Sequence, residues 1–489
     1  MEFDEPSYED LKEQVAALEL VTEQQREENN ELHQELATRD ARIAQLESRL
    51  ADLEERLGRT PRNSSMPPSK EGLSKPPARN RAERRAEQRR QGKQRGDEGK
   101  HLAQVEDPDE VIVHEPVACP ECGADLADAE VVTEEVRQIF DFPEIRPYVR
   151  EHRIQRRQCR CGCQVKAEAP NEATAPACYG PGVRALACYL AVFQHLPYDR
   201  MAQLFTDVFS MPVSTGALAQ MVAEGGGALG FFLDVVADLL RDAPAVHFDE
   251  TGARVSGRLH WVHVASSALY TLLGCHERRG RVAMDDMGVI AVMAGIAIHD
   301  GWKPYRAYDV VHALCNAHHL RELDGIGVVW DQGWANEMAD LLVSARDAVE
   351  EAKAEGQDHL DPSVLHSIRV RYGTLVKKGW AANPAPEMGK RSGYEKKAAN
   401  LLTRLDTQRA DVLRFATDFR ASFTNNQGER DIRMVKLQQK ISGSWRSLAG
   451  AQSYCAIRSY ISTMKKHHVD VLDGLRQLFE GQAWLPGST

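Results

Sequence analysis

The sequence predicts a multidomain protein with an N-terminal α-helical coiled coil, a small cysteine-containing domain, a helical domain and an α/β core that carries a helical insertion. Its 489 residues exceed what one hydrophobic core usually holds, since domains commonly contain about 100–200 residues. Heptad periodicity over residues 8–58 predicts the coiled coil, and an order of strand, strand, strand, helix and strand after residue 243 predicts the α/β core.

Residues 8–58 repeat every seven positions, as coiled-coil helices do. One core position holds Tyr8, Val15, Thr22, Asn29, Leu36, Ile43, Leu50 and Leu57, and the other holds Leu11, Leu18, Gln25, Leu32, Arg39, Leu46 and Leu53. Asn29 falls where a buried amide commonly fixes the register and favours a parallel dimer. We therefore expect a homodimer or higher oligomer. A single long amphipathic helix packed on its own protein is the alternative.

Residues 59–104 form a predicted basic, flexible linker, because they are rich in Pro, Ser, Gly, Gln and Arg and poor in large apolar residues. Its basic half is dense enough to bind DNA phosphates without sequence preference, chiefly through Arg84, Arg85, Arg89 and Arg90. A solvated, partly helical run of charge is the alternative.

Residues 105–170 contain two groups of cysteines with the spacing of a structural zinc site. Cys119 and Cys122 form the first pair. Cys159 and Cys161 form the favoured second pair, with Cys163 as the alternative ligand. Four thiolates would close a tetrahedral shell around Zn²⁺. A metal-free β-hairpin with spare thiols is the other interpretation.

Residues 175–241 predict a small helical domain, because apolar residues recur at helical spacing from Tyr179 to Leu240. The pattern is interrupted at Pro197, at Pro212 and at the glycine run 225–227.

Three carboxylates stand out in the predicted core, residues 243–445. Pro244 to Asp249 and Ile296 to Ile298 look like buried strands, each with an aspartate, Asp249 or Asp300, at its carboxyl end. Between them lie β-rich runs at Arg258–Ala265 and Ala268–Leu273 and a predicted helix from Met284 to Ala294. Glu250 is the neighbouring alternative to Asp249 as the functional carboxylate, but strand alternation directs its side chain to the opposite face of the strand.

Glu429 begins a segment with helical rather than strand periodicity. At 3.6 residues per turn, Arg433, Lys436 and Lys440 fall on the same stripe as Glu429, which suits contact with a DNA backbone. Asp249, Asp300 and Glu429 together offer the hard oxygen ligands that two divalent ions need for phosphoryl transfer.

The 128 residues between Asp300 and Glu429 predict a helical insertion at about 326–420, and residues 446–489 predict a C-terminal helical tail. Cys315-x2-His318 resembles half of a metal site without a nearby second half, so both residues are expected to be core or DNA-facing groups. Arg321 is a candidate phosphate contact.

An ordered set of motifs spans nearly the whole chain and resembles the transposases of the insertion sequence 66 family, which belong to the DDE group with a ribonuclease H-like catalytic core. The motifs are residues 63–70 (NSSMPPSK), 119–123 (CPECG), 179–182 (YGPG), 196–200 (LPYDR), 249–251 (DET), 299–300 (HD), 315–322 (CNAHHLRE), 426–430 (NQGER) and 441–443 (ISG). The resemblance implies that Asp249, Asp300 and Glu429 are the catalytic triad. It also implies a zinc-binding domain and a helix-turn-helix-like DNA contact within 175–241, although packing alone explains that region equally well.

The function implied is two-metal cleavage of DNA at the ends of an insertion sequence and joining of the freed 3′-hydroxyl ends to target DNA, without a covalent protein intermediate. Mg²⁺ is the expected ion, with Mn²⁺ as its substitute. The alternatives are a ribonuclease H-like nuclease without strand transfer and an inactive DNA-binding relic. The family is often encoded with small accessory proteins, which are candidate partners.

The composition agrees with a protein that acts on chromosomal or plasmid DNA in the cytoplasm. No run of about 18 uncharged apolar residues occurs, and the N-terminus is acidic and polar, so neither a membrane span nor a secretory signal is expected. The formal net charge of −11 argues against a surface that is basic throughout. DNA contact is therefore expected at local basic patches.

Overall fold

A computed structural model of the protein describes residues 33–36, 38–39, 102–170, 172–385, 391 and 393–487. The predicted coiled coil and basic linker therefore lie outside the described residues, apart from helical residues 33–36 and 38–39 and the end of the linker at 102–104. The four candidate DNA-binding arginines of the linker also lie outside them. Within the described part of the chain, no helix is long and apolar enough to cross a membrane.

The described residues divide into two compact units. The smaller holds residues 102–150 and Thr206–Met211, and its residues 102–150 have little regular structure beyond a bridge between Ala118 and Asp125. The larger holds Glu151–Phe205 and the described residues from Pro212 onward. It begins with an antiparallel hairpin of β1 (Arg156–Gln158) and β2 (Gln164–Lys166).

A five-stranded mixed sheet forms the centre of the larger unit. Its strands are β3 (Ala245–Val255), β4 (Arg258–Ser266), β5 (Thr271–His276), β6 (Ile296–His299) and β7 (Val311–Leu314). The order across the sheet is β5-β4-β3-β6-β7. The first three strands form an antiparallel meander, whereas β6 and β7 run parallel to β3.

Strand β3 is longer than the sequence pattern indicates. Asp249 lies inside the strand, not at its end, because β3 continues in antiparallel pairing with β4 as far as Val255. Its parallel pairing with β6 stops at His247, two residues before Asp249. Ser256 and Gly257, with φ of 48° and 76°, make the two-residue turn into β4, since both positions require positive φ in the turn that matches strand twist.

The helix predicted at Met284–Ala294 begins and ends earlier in the chain than the sequence pattern indicates. The helix in this region spans Arg281–Met287 and is the fifth α-helix in the numbering used below, α5. It ends before Gly288, which has a φ of 64°. A left-handed residue just after the last turn ends a helix, and glycine adopts this conformation without steric cost. The predicted run Ala268–Leu273 is also shifted, since β5 starts at Thr271 after a turn.

The helical region before the sheet packs against the C-terminal helices. It contains α1 (Pro181–Cys188), α2 (Tyr198–Phe209), α3 (Thr215–Gly227) and α4 (Gly230–Arg241). The C-terminal segment contains α13 (Leu448–Lys466), which lies against α3 and β5, and α14 (Val471–Phe479), which lies against α1. Most of α13 is buried, so this segment is a central element and not a peripheral tail.

The glycine run 225–227 forms the last turn of α3, and the helix ends at Gly227. A Cβ atom on Gly226 would lie 2.6 Å from the Ser453 Cβ atom. The close approach of α3 to α13 therefore requires the absence of a side chain at Gly226.

The region after β7 is helical and has its own apolar core. Helix α6 (Asn316–Asp324) leads into α7 (Gly333–Ala354), α8 (Pro362–Ala382), α9 (Gly393–Thr407), α10 (Arg409–Val412) and α11 (Arg414–Thr417). Trp334, Leu342, Tyr372, Leu402 and Phe415 are among the side chains that form this core. The Tyr372 hydroxyl donates a hydrogen bond to the Leu405 carbonyl at 2.7 Å, so its polar atom is satisfied within the core.

Helix α12 (Asn426–Ser442) packs across β3 and β4, and a buried ion pair anchors it there. The Lys466 ammonium lies 3.0 Å from the Asp431 carboxylate and also donates to Ser266 Oγ and to the Ser267 and Tyr270 carbonyls. Burial raises the pKa of Asp431, but Lys466 and the Ser266 and Gln427 hydrogen bonds offset it and leave the pKa below its usual value.

We predict that Asp431→Ala lowers the free energy of unfolding by about 3–5 kcal/mol, because the buried Lys466 ammonium loses its counter-charge. Glu337→Ala is the matched control. Its partner Lys378 is 53% exposed, so we expect a loss below about 1 kcal/mol. Denaturant titrations followed by circular dichroism measure both losses, and equal losses would contradict the structural role of the buried pair.

Candidate functional site

Asp249 and Asp300 are carried by adjacent strands of the sheet. Asp249 lies on β3, just beyond its parallel pairing with β6, and Asp300 directly follows β6. The Trp302 backbone N–H donates to Asp300 Oδ1 at 2.8 Å, across a turn in which Gly301 has a φ of 88°. The Glu250 backbone N–H donates to Asp249 Oδ1 at 2.9 Å. Backbone groups therefore orient both carboxylates.

Two histidines support the turn that carries Asp300. His299 Nδ1 accepts the Gly301 N–H at 3.0 Å, so its proton lies on Nε2, which donates to His312 Nδ1 at 3.0 Å. Burial lowers the pKa of His299 to about 3, with further contributions from the charges of His312 and Arg306. The ring is therefore neutral and has a fixed tautomer.

Glu429 lies in the first turn of α12, and Asn425 fixes that turn against β3. The Asn425 amide donates to the Phe248 carbonyl at 2.8 Å, and its Oδ1 accepts from His247 Nδ1 at 3.0 Å. Asn425 is 1% exposed, so these bonds are made away from water. A Cβ atom on Gly428 would lie 3.4 Å from the His247 Cβ atom, which indicates a close approach of the helix to the strand.

The three predicted carboxylates interact electrostatically. Burial and, after it, the negative charges of Glu250, Asp300 and Glu429 together raise the pKa of Asp249 to about 8, although the hydrogen bond from the Glu250 backbone lowers it in part. Like charges raise an acid's pKa in this way only at short range. The structure therefore brings together Asp249, Asp300 and Glu429, which are distant in sequence.

Glu250 has different hydrogen-bond partners from Asp249. Its carboxylate accepts hydrogen bonds from Arg279 at 2.6 Å and from the Tyr305 hydroxyl at 2.7 Å. Burial raises the pKa of Glu250, while the hydrogen bonds to Arg279 and Tyr305 lower it in part. The Arg279 guanidinium lies between two indole rings, 4.5 Å from the Trp261 ring centroid and 3.9 Å from that of Trp302.

No sequence pattern identified Arg279, Tyr305 or Trp302 as parts of this site. Arg279 lies in the connection after β5, and only tertiary packing sets it beside Glu250. A local signal existed for Trp302 alone, since it follows Asp300 by two residues.

The sequence indicates no further metal-ligating group near Cys315 and His318, but the structure brings Glu429 beside both. A donor atom from each of the three residues lies within 4.8 Å of the others. His318 Nδ1 is 4.0 Å from Glu429 Oε1, and neither atom has a hydrogen-bond partner. No local pattern indicated this group, because 110 residues separate Cys315 from Asn425, the residue just before α12.

The cationic residues predicted after Glu429 lie on α12 as expected for one helix. Arg433, Lys436 and Lys440 are exposed. Lys436 Nζ donates to the Gly252 carbonyl at 2.6 Å, which holds its stem along β3. Arg321, on α6, is half-buried.

The predicted zinc ligands lie on two tight turns of the backbone. In the first, the Gly123 N–H donates to the Cys119 carbonyl at 2.9 Å, and Gly123 has a φ of 72°. Hydrogen bonds from the backbone of Cys122, then of Glu121, and from the Cys122 thiol lower the pKa of Cys119. Both cysteines therefore point into one turn, a geometry suited to a shared cation.

The second turn joins β1 to β2. The Gly162 N–H donates to the Cys159 carbonyl at 2.9 Å, and the Cys159 N–H donates to the Cys163 carbonyl at 2.7 Å. The backbone of Cys163, then the thiols of Cys159 and Cys163, lower the pKa of Cys161 by hydrogen bonding. Cys161 is thus adjacent to both other thiols of the turn.

Comparison with known proteins finds matches along most of the chain. The family described as "Transposase IS66 family" matches residues 176–453, and the "zinc-finger binding domain of transposase IS66" matches residues 116–162. A family of unknown function matches residues 15–103. A relative from Sinorhizobium fredii (strain NBRC 101917 / NGR234), "Uncharacterized protein y4hP", is 23% identical over 412 residues, which cover 74% of this chain and 69% of the relative.

We predict that the metal-free protein loses thermal stability as the pH rises from about 4 to about 8, and that Asp249→Asn reduces this loss. The folded state raises the pKa of Asp249, so it holds the proton at a pH where the unfolded chain has released it. The favourable contribution is complete below the unfolded pKa and disappears as the pH rises through about 8.

Near pH 8, Asp249→Asn should therefore melt a few degrees above the wild type in a chelating buffer. The exposed Asp309→Asn is the control and should melt like the wild type. Differential scanning calorimetry at several pH values measures the effect. An Asp249→Asn variant with the wild-type pH dependence would show that the folded protein does not raise the pKa of Asp249.

Proposed function

The chain belongs to the IS66 transposase family, and on that basis we propose that it is a DDE transposase that cleaves DNA at the ends of an insertion sequence and joins the freed 3′-hydroxyl ends to target DNA. The observation that supports this most is that Asp249 and Asp300 lie on or directly after the neighbouring strands β3 and β6, while Glu429 lies on a helix that packs on β3. Buried carboxylates that repel one another are stable together only with protons or cations between them.

A ribonuclease H-like core is part of the proposal. The support is a five-stranded mixed sheet in which an antiparallel meander, β3 to β5, is extended on the β3 side by parallel strands β6 and β7. The two aspartates come from the neighbouring strands β3 and β6, and the glutamate comes from a helix that packs on β3. The core so defined is residues 243–445, with the helical insertion at about 326–420.

The donor set fits Mg²⁺ or Mn²⁺. Asp249, Asp300 and Glu429 offer only carboxylate oxygens, the ligand type that these hard cations prefer. Glu429 Oε1 is buried without a hydrogen-bond partner, which a cation would satisfy. Bound divalent cations would supply activation of the attacking oxygen and stabilisation of the leaving oxygen of the phosphodiester.

The protein's own residues prepare the site for that chemistry. The Trp302 and Glu250 backbone N–H groups orient the carboxylates of Asp300 and Asp249, and Asn425 holds the helix turn that carries Glu429. Arg279 compensates the charge of Glu250, so this fourth carboxylate does not add its full repulsion to the other three. Preorganised groups of this kind need no rearrangement when substrate binds.

DNA would follow the exposed cationic side of α12. Arg433 and Lys440 are free to reach phosphates from the helix that also carries Glu429, with Lys436 between them. Arg321 and the linker arginines Arg84, Arg85, Arg89 and Arg90 are proposed as further contacts, and the helical region 175–241 as a candidate DNA contact. The coiled coil at 8–58 is proposed to hold the protein as a dimer or higher oligomer, with accessory proteins as further partners.

The chain has the zinc-binding domain of its family, and we assign its ligands to Cys119, Cys122, Cys159 and Cys161. The family match spans 116–162 and thus includes Cys161 but ends before the alternative ligand Cys163. Support for Cys161 also comes from its hydrogen bonds to the thiols on either side of it.

The decisive experiment is cleavage and joining of labelled DNA that carries the element's own ends, with Mg²⁺ or Mn²⁺. We predict that Asp249→Ala, Asp300→Ala and Glu429→Ala each lower the rate of cleavage at least about hundredfold, whereas the exposed Asp309→Ala acts like the wild type. Joined product from the wild type and its loss in all three variants is the expected result.

Metal-dependent cleavage without joining would instead favour a nuclease without strand transfer. No activity in the presence of the element's accessory proteins would favour an inactive DNA-binding relic. Activity that survives Asp300→Ala would contradict the assigned triad.

We predict that Arg433→Ala and Lys440→Ala each weaken DNA binding by a similar factor for all sequences and reduce the slope of log Kd against log salt concentration by about 1. Each removes one phosphate contact and the counterion release that accompanies it. Fluorescence anisotropy at several salt concentrations measures the slope. Lys378→Ala, in the helical insertion on α8, is the control, and a change in its slope of the same size would argue against α12 as the DNA surface.

A further inference from the structure

Three different metal-binding groups meet where α6 and α12 begin. Cys315 immediately precedes α6, His318 lies in its first turn, and Glu429 lies in the first turn of α12. One donor atom of each, a sulfur, an imidazole nitrogen and a carboxylate oxygen, lies within 4.8 Å of the other two. In the described part of the chain, no other three Cys, His, Asp or Glu residues meet this closely.

The contacts of these residues leave two of the donor atoms unsatisfied. His318 Nδ1 and Glu429 Oε1 are buried, have no hydrogen-bond partner and are 4.0 Å apart, which is too far for a hydrogen bond to each other. Buried polar atoms without partners cost free energy, and native structures contain few of them. A cation between the two atoms would satisfy both.

The donor set selects a different cation from the carboxylates beside it. Mg²⁺ prefers oxygen ligands throughout, whereas thiolate and imidazole favour Zn²⁺ and cations like it. Asn425 supports the sulfur, because its backbone N–H donates to Cys315 Sγ at 3.1 Å, and such outer contacts commonly orient metal ligands. His318 and Glu429 remain about one-quarter exposed, which leaves room for water as a fourth ligand.

We propose that Cys315, His318 and Glu429 form a binding site for a borderline divalent cation, Zn²⁺ being the expected one, and that its occupation inhibits the enzyme by withdrawing Glu429 from the catalytic carboxylates. The binding site stands on the geometry alone. The inhibition rests on the proposed function, because it requires Glu429 to act with Asp249 and Asp300. The protein would then be active with Mg²⁺ and inhibited by Zn²⁺ beyond what its zinc-binding domain holds.

The binding test uses Co²⁺ added to the full-length, zinc-replete protein, since thiolate bonds to Co²⁺ give a charge-transfer absorption. Wild type should bind one additional Co²⁺ per chain with this absorption, and Cys315→Ser should lose the absorption and bind at least about tenfold more weakly. Cys275→Ser, at another buried cysteine, is the matched control and should behave like the wild type.

His318→Gln gives a second test in case Cys315→Ser does not fold. It should keep the charge-transfer absorption but weaken Co²⁺ binding by a similar factor. Equal Co²⁺ binding by the wild type and both site variants would overturn the proposed site.

The inhibition test titrates Zn²⁺ into the cleavage reaction at fixed Mg²⁺, with each protein compared with its own zinc-free rate. The Zn²⁺ concentration for half-inhibition should rise at least about tenfold in Cys315→Ser and remain unchanged in Cys275→Ser. Unaltered inhibition in Cys315→Ser would overturn the inhibitory role. Co²⁺ binding in a protein without any cleavage activity would support the site and count against the transposase proposal alone.

Discussion

Buried polar contacts fix α12 in one register on the sheet, and the position of Glu429 depends on them. Asn425, one turn before Glu429, bonds the Phe248 carbonyl and the His247 ring, and Asp431, two residues after it, bonds Lys466 and Ser266. A helix displaced by one turn would leave these buried groups without partners, each at a cost of about 1–3 kcal/mol. The contacts therefore hold the glutamate of the site beside the strand that carries Asp249.

Charge is the second constraint on the same region. The negative charges of Glu250, Asp300 and Glu429 act on Asp249, and that of Asp300 also acts on Glu250. Arg279 and Tyr305 stabilise the negative charge of Glu250, but Asp249 has only backbone support and keeps a proton to a high pH. A cation that binds there displaces this proton, so cation binding and the stability of the fold are coupled.

The long helical insertion does not disturb this arrangement, because the chain enters and leaves it at neighbouring points. The Asn316 N–H donates to the Phe423 carbonyl at 3.0 Å, and the Asn425 N–H donates to Cys315 Sγ. Asn316 also donates through its amide to the Val412 carbonyl at 3.0 Å. The insertion has its own apolar core, so its helices pack on one another between β7 and α12. The same junction brings Cys315 and His318 to Glu429.

The sequence by itself determined the family, the order of strands and helices around the carboxylates, the helix that carries Glu429 and the zinc-binding domain, since these follow from local periodicity and from ordered motifs. It did not determine where β3 ends, because pairing with β4 extends the strand past Asp249, nor that α13 is central, because its burial comes from packing on α3 and β5. Only the tertiary structure decided which groups surround each carboxylate. Arg279 reaches Glu250 from the connection after β5, and Cys315 and His318 reach Glu429 across the whole insertion. Such contacts depend on how distant segments pack, and no local pattern of residue types records that.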